Sequence, residues 1–236
     1  MSLNYSTYVA ELANLMATDS TTPEFQIMLP GCIDYAEQRI YREIDLLSTV
    51  VRDDTAVLTP GDRNFTLPTT ANGPFVTVQG INVITPAGST PANGKRNALS
   101  AVARDYLDMV WNSSTGAGVP INFAMIDQNN LILGPWPSAA YTVEVIGTII
   151  PNPLSATNTT TFLTLYLPDL FMAASMVFAS GYMRDFGSQS DNPAQAASWE
   201  AQYQTLFKSA NMLELRKKWA GPGWTPLSSI PIAPVR

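Results

Sequence analysis

The chain has 236 residues, of which 46% are hydrophobic and only 14% charged, and its 19 acidic against 13 basic side chains leave a net charge of −6. It contains no histidine, which excludes a Ser-His-Asp or Cys-His nucleophile pair, a His-ligated zinc and an imidazole general base. A pI near 4.6 argues against a grip on nucleic-acid phosphates, which needs clustered Lys and Arg to displace condensed counterions.

In chain order, Val9, Leu12, Ala13 and Met16 recur at helical spacing after Ser6, which predicts a helix over 6–17 capped by that serine. Met1 to Tyr5 lack the basic start and apolar run of a signal peptide, so secretion by that route is not expected. Thr22-Pro23-Glu24 opens a second helix with a capping hydroxyl, a first-turn proline and an early acid. Pro30-Gly31 is expected to kink or break it. Beyond that point Ile33, Ala36, Ile40, Ile44 and Leu47 form one apolar seam, with Asp34, Gln38, Arg42 and Asp45 facing away.

From Thr49 the period becomes that of strands. Val50-Val51 and Thr55 to Leu58, the turn Pro60-Gly61-Asp62 and then Phe65 to Leu67 predict a hairpin, and Phe75–Ile84 is a further strand. Pro86–Gly94 is a turn-rich loop. A short helix follows over 102–111, then a Gly-rich linker over 113–118. Asn122–Ile126 and Leu131–Leu133 are strands joined by Asp127 to Asn130, and Tyr141–Ile150 is the clearest strand of the chain.

After Pro151 and Pro153 the chain returns to helix. Leu167-Pro168-Asp169 opens an apolar helix to about Phe186, whose apolar run is too short to cross the roughly 30 Å of a bilayer core. Asn192-Pro193 opens another to about Trp219, with Ala196, Trp199, Tyr203, Leu206, Ala210 and Leu213 on one face. The pattern predicts an α+β chain: a helical bundle from both chain ends (1–48 and 162–220), a β-rich insertion (49–161) and an extended C-terminal arm (221–236).

Lone Cys32 excludes an intrachain disulfide and an all-Cys metal site, is expected in the core, and predicts folding in a reducing compartment. Carboxylates would have to carry any acid–base work, and the clusters are Asp53-Asp54, Asp105 with Asp108, and Asp34 with Asp45. Each is expected to be solvated surface, because neighbours on a strand point to opposite faces and most charged side chains are exposed. Gly116-Ala117-Gly118 lacks the Lys-Ser or Lys-Thr of a phosphate loop. Arg216-Lys217-Lys218 complements a helix C-terminus, and Trp199, Tyr203 and Phe207 are expected to pack rather than stack bases. No catalytic, cofactor-binding or metal-ligating set emerges.

The arm is different. Trp219, Trp224, Leu227, Ile230, Ile232 and Val235 are large apolar side chains on a Pro-stiffened segment, and leaving them in water is unfavourable. They are the candidate residues for docking in a groove on a neighbour, since proline lowers the ordering cost of binding; a frayed end or an arm folded back on its own domain is the alternative.

The segment Ile33-Asp34-Tyr35-Ala36-Glu37-Gln38-Arg39-Ile40-Tyr41-Arg42-Glu43-Ile44-Asp45-Leu46-Leu47 resembles the head-to-tail adaptor (connector) proteins of tailed bacteriophages. Gly118-Val119-Pro120, Leu131 to Pro137, Tyr141 to Ile150, Pro151 to Ser155 and the helices after Tyr166-Leu167-Pro168-Asp169-Leu170 agree in kind and order. The resemblance implies a virion structural protein, made in the host cytoplasm, whose helical part forms a twelvefold ring beneath the portal. It further implies a β part directed at tail or nozzle proteins, a channel for DNA passage without specific binding, and an arm, 221–236, that reaches the portal protein. No cofactor, membrane or enzymatic turnover is expected. Two other readings stay open at this level: a tail-associated cell-wall hydrolase working through carboxylates, and a glycan-binding tail module using Trp111 or Trp136.

Overall fold

The computed structural model of the chain describes residues 3–182 and 193–220. Among these residues the elements are, in order, α1 (Tyr5–Leu15), α2 (Pro23–Glu43), β1 (Val50–Val57), β2 (Asn64–Thr66), β3 (Phe75–Thr85), β4 (Lys95–Ala98), β5 (Ser100–Ala101), α3 (Arg104–Val110), β6 (Asn122–Met125), β7 (Asn130–Gly134), β8 (Thr142–Ile149), α4 (Phe162–Tyr166), α5 (Pro168–Tyr182) and α6 (Pro193–Ala220). The chain is mixed α+β and divides into two compact units, Met1–Leu47 with Pro153–Arg236, and Ser48–Asn152.

In the helical unit α1 starts one residue earlier than the sequence predicts. Asn4, not Ser6, is the cap: its side chain accepts the Thr7 N–H at 2.9 Å while the Thr7 hydroxyl accepts the Asn4 N–H at 2.8 Å, closing a capping box that leaves Ser6 inside the first turn. Thr22 does precede α2, but its hydroxyl makes no capping bond. Pro30 does not break α2, which runs through it. Phe25, Met28 and Leu29 before the proline and Cys32, Ile33 and Ala36 after it are all buried in one core, so packing on both sides holds the helix across the missing N–H.

α5 is apolar nearly all round, and it packs against α1, α2 and α6. Leu170, Phe171, Ala174 and Ala179 fill the space among Tyr8 and Leu12 of α1, Leu29 and Ala36 of α2, and Tyr203 and Ala210 of α6. Tyr8 is fully buried, and its hydroxyl donates to Ser175 Oγ at 2.8 Å while its ring lies 4.9 Å from that of Phe171. α4 is a helix that the apolar spacing does not predict. Thr161 and Thr164 cap each other there, a short-range signal hidden within a threonine-rich stretch.

The expected hairpin of β1 with β2 does not form. β1 pairs antiparallel with β8 in a sheet of order β1-β8-β3-β4, and β2 pairs with β7 in a second sheet, β2-β7-β6-β5. The turn around Gly61 therefore carries the chain from one sheet to the other. Both sheets bury one face in a shared core: Phe75, Ile81, Val83, Val143 and Val145 from the first, Phe65, Leu131 and Leu133 from the second. β6 and β7 do pair antiparallel through Asp127–Asn130, as their sequence predicts. The far face of the second sheet carries α3, where Leu107 packs on Ala124 and Ile132. Gly134 permits this approach, since a Cβ there would stand 2.4 Å from Trp111 Cδ1 and 2.6 Å from Leu107 Cδ2.

The loop over 86–94 joins β3 to β4, a strand the pattern did not disclose. It lies on the outer face of the first sheet, where Ser89 O accepts the Thr142 hydroxyl at 2.8 Å and Gly94 sits against Ile84. On the same face Glu144 is buried between Arg96 (3.0 Å), Arg52 (3.3 Å) and Asn82 (2.8 Å). Burial works against its charge, yet the bonds from Arg96 and Asn82 and the nearby Arg52 hold its carboxyl below the usual carboxylate range.

Two more buried carboxylates lie in the helical unit, at the points where its chain leaves and returns. Glu214 of α6 accepts the Leu47 N–H at 3.1 Å, and Glu37 of α2 accepts the Leu154 N–H at 3.0 Å. Leu47 itself, expected in the α2 seam, is exposed, because α2 ends at Glu43 and Ile44 and Leu46 take the buried places. Glu214 also receives Lys217 Nζ at 2.6 Å. Burial, with a smaller push from Asp34, raises the Glu37 carboxyl to about 7 against the lowering effect of the Leu154 bond.

Between about pH 4.5 and 7 the folded chain therefore keeps a proton on Glu37 that the unfolded chain has released, and stability falls as pH rises through that window. Carboxylates held low by their partners, such as Glu144, lose their contribution only at lower pH. Glu37→Gln keeps an acceptor for Leu154 without the charge, and is expected to stabilise the protein by on the order of 2 to 3 kcal/mol at pH 8 and by almost nothing at pH 4.5. Urea unfolding followed by circular dichroism from pH 4.5 to 8 checks this; an unchanged pH slope in the variant refutes it.

Candidate functional site

The arm residues Trp224, Leu227, Ile230, Ile232 and Val235, and the side chain of Trp219, lie outside the described residues. So does the predicted end of the α5 helix near Phe186. The candidate site on the described residues is a set of surfaces, built on the helical unit.

None of the carboxylate pairs forms a shared site. Asp53 sits at a β-bulge in β1, and its Oδ1 accepts both the N–H and the hydroxyl of Thr55, at 3.0 and 2.7 Å. Asp108 was expected to be solvated beside Asp105. Instead it pairs with Arg63 at 2.6 Å and with Arg104 at 3.6 Å, tying α3 to the segment that leads into β2, while Asp105 is exposed. Asp34 accepts from Gln38 one helical turn on, and Asp45 pairs with Lys218. Among the described residues no group of three His, Cys, Asp or Glu side chains could hold a metal ion. Cys32 is buried, and burial pushes its thiol up to about 12. No helix among the described residues is long and apolar enough to cross a membrane.

A cluster of charge joins α2 to α6. The Arg39 guanidinium makes two bonds to Glu200, 2.6 and 2.8 Å, a third to Glu43 at 3.1 Å, and lies 4.0 Å over the ring of Tyr203. Tyr203 in turn donates its hydroxyl to Glu43 at 2.6 Å. The Glu200 bonds raise the Arg39 pKa, and the same bonds hold the Glu200 carboxyl below its usual range. Every guanidinium nitrogen finds an acceptor within the chain, so the cluster is cement between helices rather than an open anion site.

Of the basic run at the end of α6, Lys217 is bound to buried Glu214 and lies 5.2 Å over the Phe162 ring, and Lys218 pairs with Asp45. Arg216 is exposed. Tyr203 is buried, and Trp199 and Phe207 pack partly buried against the core. Leu213, expected on that inner face, is 44% exposed, and Glu214 occupies the buried position beside it. Trp136 donates its indole N–H to the Trp111 carbonyl at 3.0 Å and has Arg63 at 5.6 Å from its ring. Both tryptophans are half-buried, which leaves little open ring face for a sugar.

What the helical unit does present is apolar surface. Tyr166, Leu165, Met212 and Leu215 are exposed, as is Leu15 at the end of α1. Between α1, α5 and α6 lies a groove of about 560 Å³, lined among others by Leu3, Leu15, Met172 and Trp199, with the carboxylates Glu11 and Asp169 in its wall. An apolar groove of this kind can receive a side chain or segment of another molecule.

The Arg39 cluster allows a direct test. Lysine at this position keeps the charge but loses the paired bonds and the stacking on Tyr203. Arg39→Lys is expected to lower the unfolding free energy by about 1 to 2 kcal/mol, part of the gross ion-pair energy being lost to solvent because Glu200 is partly exposed. A shift in the urea midpoint at unchanged slope checks it, and a midpoint equal to that of the parent rejects the cluster as helix cement.

Compared with known proteins, residues 3–226 match the family model described as SU10 adaptor protein. The comparison with curated proteins gives no match.

Proposed function

The chain belongs to the SU10 adaptor protein family, a head-to-tail adaptor family of tailed bacteriophages, and on that premise we propose that its copies form a ring beneath the portal and join the DNA-filled head to the tail. The observation that carries this reading is the family match over residues 3–226, which takes in both units rather than one module. In this reading the helices of 1–48 and 162–220 form the bundle that packs into a twelvefold ring, residues 49–161 face tail or nozzle proteins, and the arm 221–236 reaches onto the portal through Trp219, Trp224, Leu227, Ile230, Ile232 and Val235.

Three physical features support it. The charge-poor composition and the exposed apolar side chains of α4 and α6 suit a subunit that hides side faces in its neighbours. Heterologous contacts repeated by one rotation close a ring. A net charge of −6 suits a channel through which duplex DNA slides, because like charge discourages adhesion of the phosphates. The protein then acts in the virion by contact, without turnover.

Co-sedimentation with assembled portal rings tests the reading, using the full chain beside a version ending at Ala220, with mass photometry of the product. Saturable binding of one adaptor per portal subunit is expected for the full chain, and weakened binding for the shortened one. Absence of binding across salt concentrations rejects the adaptor role proposed here, and equal binding of the two chains rejects the part assigned to the arm.

A further inference from the structure

α6 turns its buried seam inward through Tyr203, Leu206, Phe207, Ala210 and Glu214. At about 100° per residue the diametrically opposite stripe is Lys208, Met212, Leu215 and Arg216, all exposed. Met212 is 54% and Leu215 is 42% exposed, so two large apolar side chains sit in water with a cation at either end of the stripe. No carboxylate interrupts it.

The groove between α1, α5 and α6 has the opposite character. Its floor and walls are Leu3, Leu15, Met172 and Trp199, its charged lining residues are Glu11 and Asp169, and no cation lines it. Stripe and groove therefore match in both polarity and charge. They cannot meet within one chain, because Trp199 of the groove and Met212 of the stripe belong to the same continuous helix, which cannot fold back onto itself.

We propose that the Lys208–Met212–Leu215–Arg216 stripe of one copy docks in the α1–α5–α6 groove of a second copy, with Met212 and Leu215 against the apolar lining and the two cations toward Glu11 and Asp169. The proposal rests on the ring reading above and identifies its subunit contact. Two different surfaces meet, so the contact is heterologous: each copy offers its stripe to one neighbour and its groove to the other, as a closed ring requires. Opposite charge at the rim orients the encounter, and apolar burial supplies the affinity.

The test uses full-length chains. Leu15→Cys and Leu215→Cys are made separately, both at exposed positions, while the natural Cys32 is buried and unreactive. A short bis-maleimide is added to each variant alone and to their mixture, on portal rings and in free solution. Linked dimer is expected in the mixture on the rings, at roughly tenfold or more the yield of either variant alone, a ratio equivalent to about 1.4 kcal/mol of preference. Chains ending at Ala220, which are expected to bind the rings more weakly, are expected to link equally well per ring-bound copy.

Rings that assemble without linkage in the mixture overturn the contact and leave the ring reading standing. Linkage within one variant alone means an isologous contact and also overturns it. Linkage per ring-bound copy lost on removing residues beyond 220 overturns the contact and assigns the groove to the arm instead. Failure of the unsubstituted chain to assemble on portal rings overturns the ring reading and this contact together. Charge reversal adds a second readout: Glu11→Lys on the groove copy is expected to reduce the linked dimer, and Arg216→Glu on the stripe copy to restore it.

Discussion

A unit assembled from two distant pieces of chain must hold the ends of both, and here buried carboxylates do so. Glu214 accepts the N–H of Leu47, where the first piece ends, and Glu37 accepts the N–H of Leu154, where the second begins. A backbone N–H left without a partner is costly, and neither Leu47, the first residue of a single 3-10 turn, nor Leu154, outside any helix or strand, has a preceding turn or ladder to supply one. Side chains from rigid helices therefore provide the acceptors. The two sites solve the desolvation of the carboxylate differently. Glu214 has Lys217 beside it; Glu37 has no cation within bonding distance in the described contacts and keeps its proton to about pH 7.

The same economy runs through the charged residues of the protein. In a chain with few of them, most described charges are spent on structure. Glu144 gathers Arg52, Arg96 and Asn82 on the outer face of one sheet, Asp108 ties Arg63 to α3, and Arg39 joins α2 to α6 through Glu200 and Glu43. What is left for contact with other molecules is apolar surface with sparse charge, in the stripe on α6 and the groove beside α1. That distribution fits a protein that works by assembly: burial of such surface gives affinity, and the few charges at its edges give orientation.

Local signals were legible where the structure itself is local. The capping and proline patterns located α2, α5 and α6 to within a residue or so at their starts, and the alternation of β8 and the β6–β7 hairpin are visible in the sequence because neighbouring strands joined by a tight turn pair with each other. The β1–β2 hairpin that the turn signal predicts does not form, for the converse reason. A turn brings two strands together in sequence, but partner choice belongs to the faces that must be buried, and β1 finds β8 while β2 finds β7. Pro30 shows the same precedence, since a local helix breaker yields to core packing before and after it.

Composition and spacing by themselves determined that this protein has no histidine chemistry and that its middle is β-rich between helical ends, because each of these follows from residue type or short-range period. Only the tertiary structure decided that Glu37 and Glu214 are buried, that Leu213, Leu47, Met212 and Leu215 are exposed, and that Leu15 and Trp199 line one groove. Those outcomes depend on which surfaces of separate helices cover one another. Such a fact joins residues more than a hundred positions apart, and no window along the chain contains it.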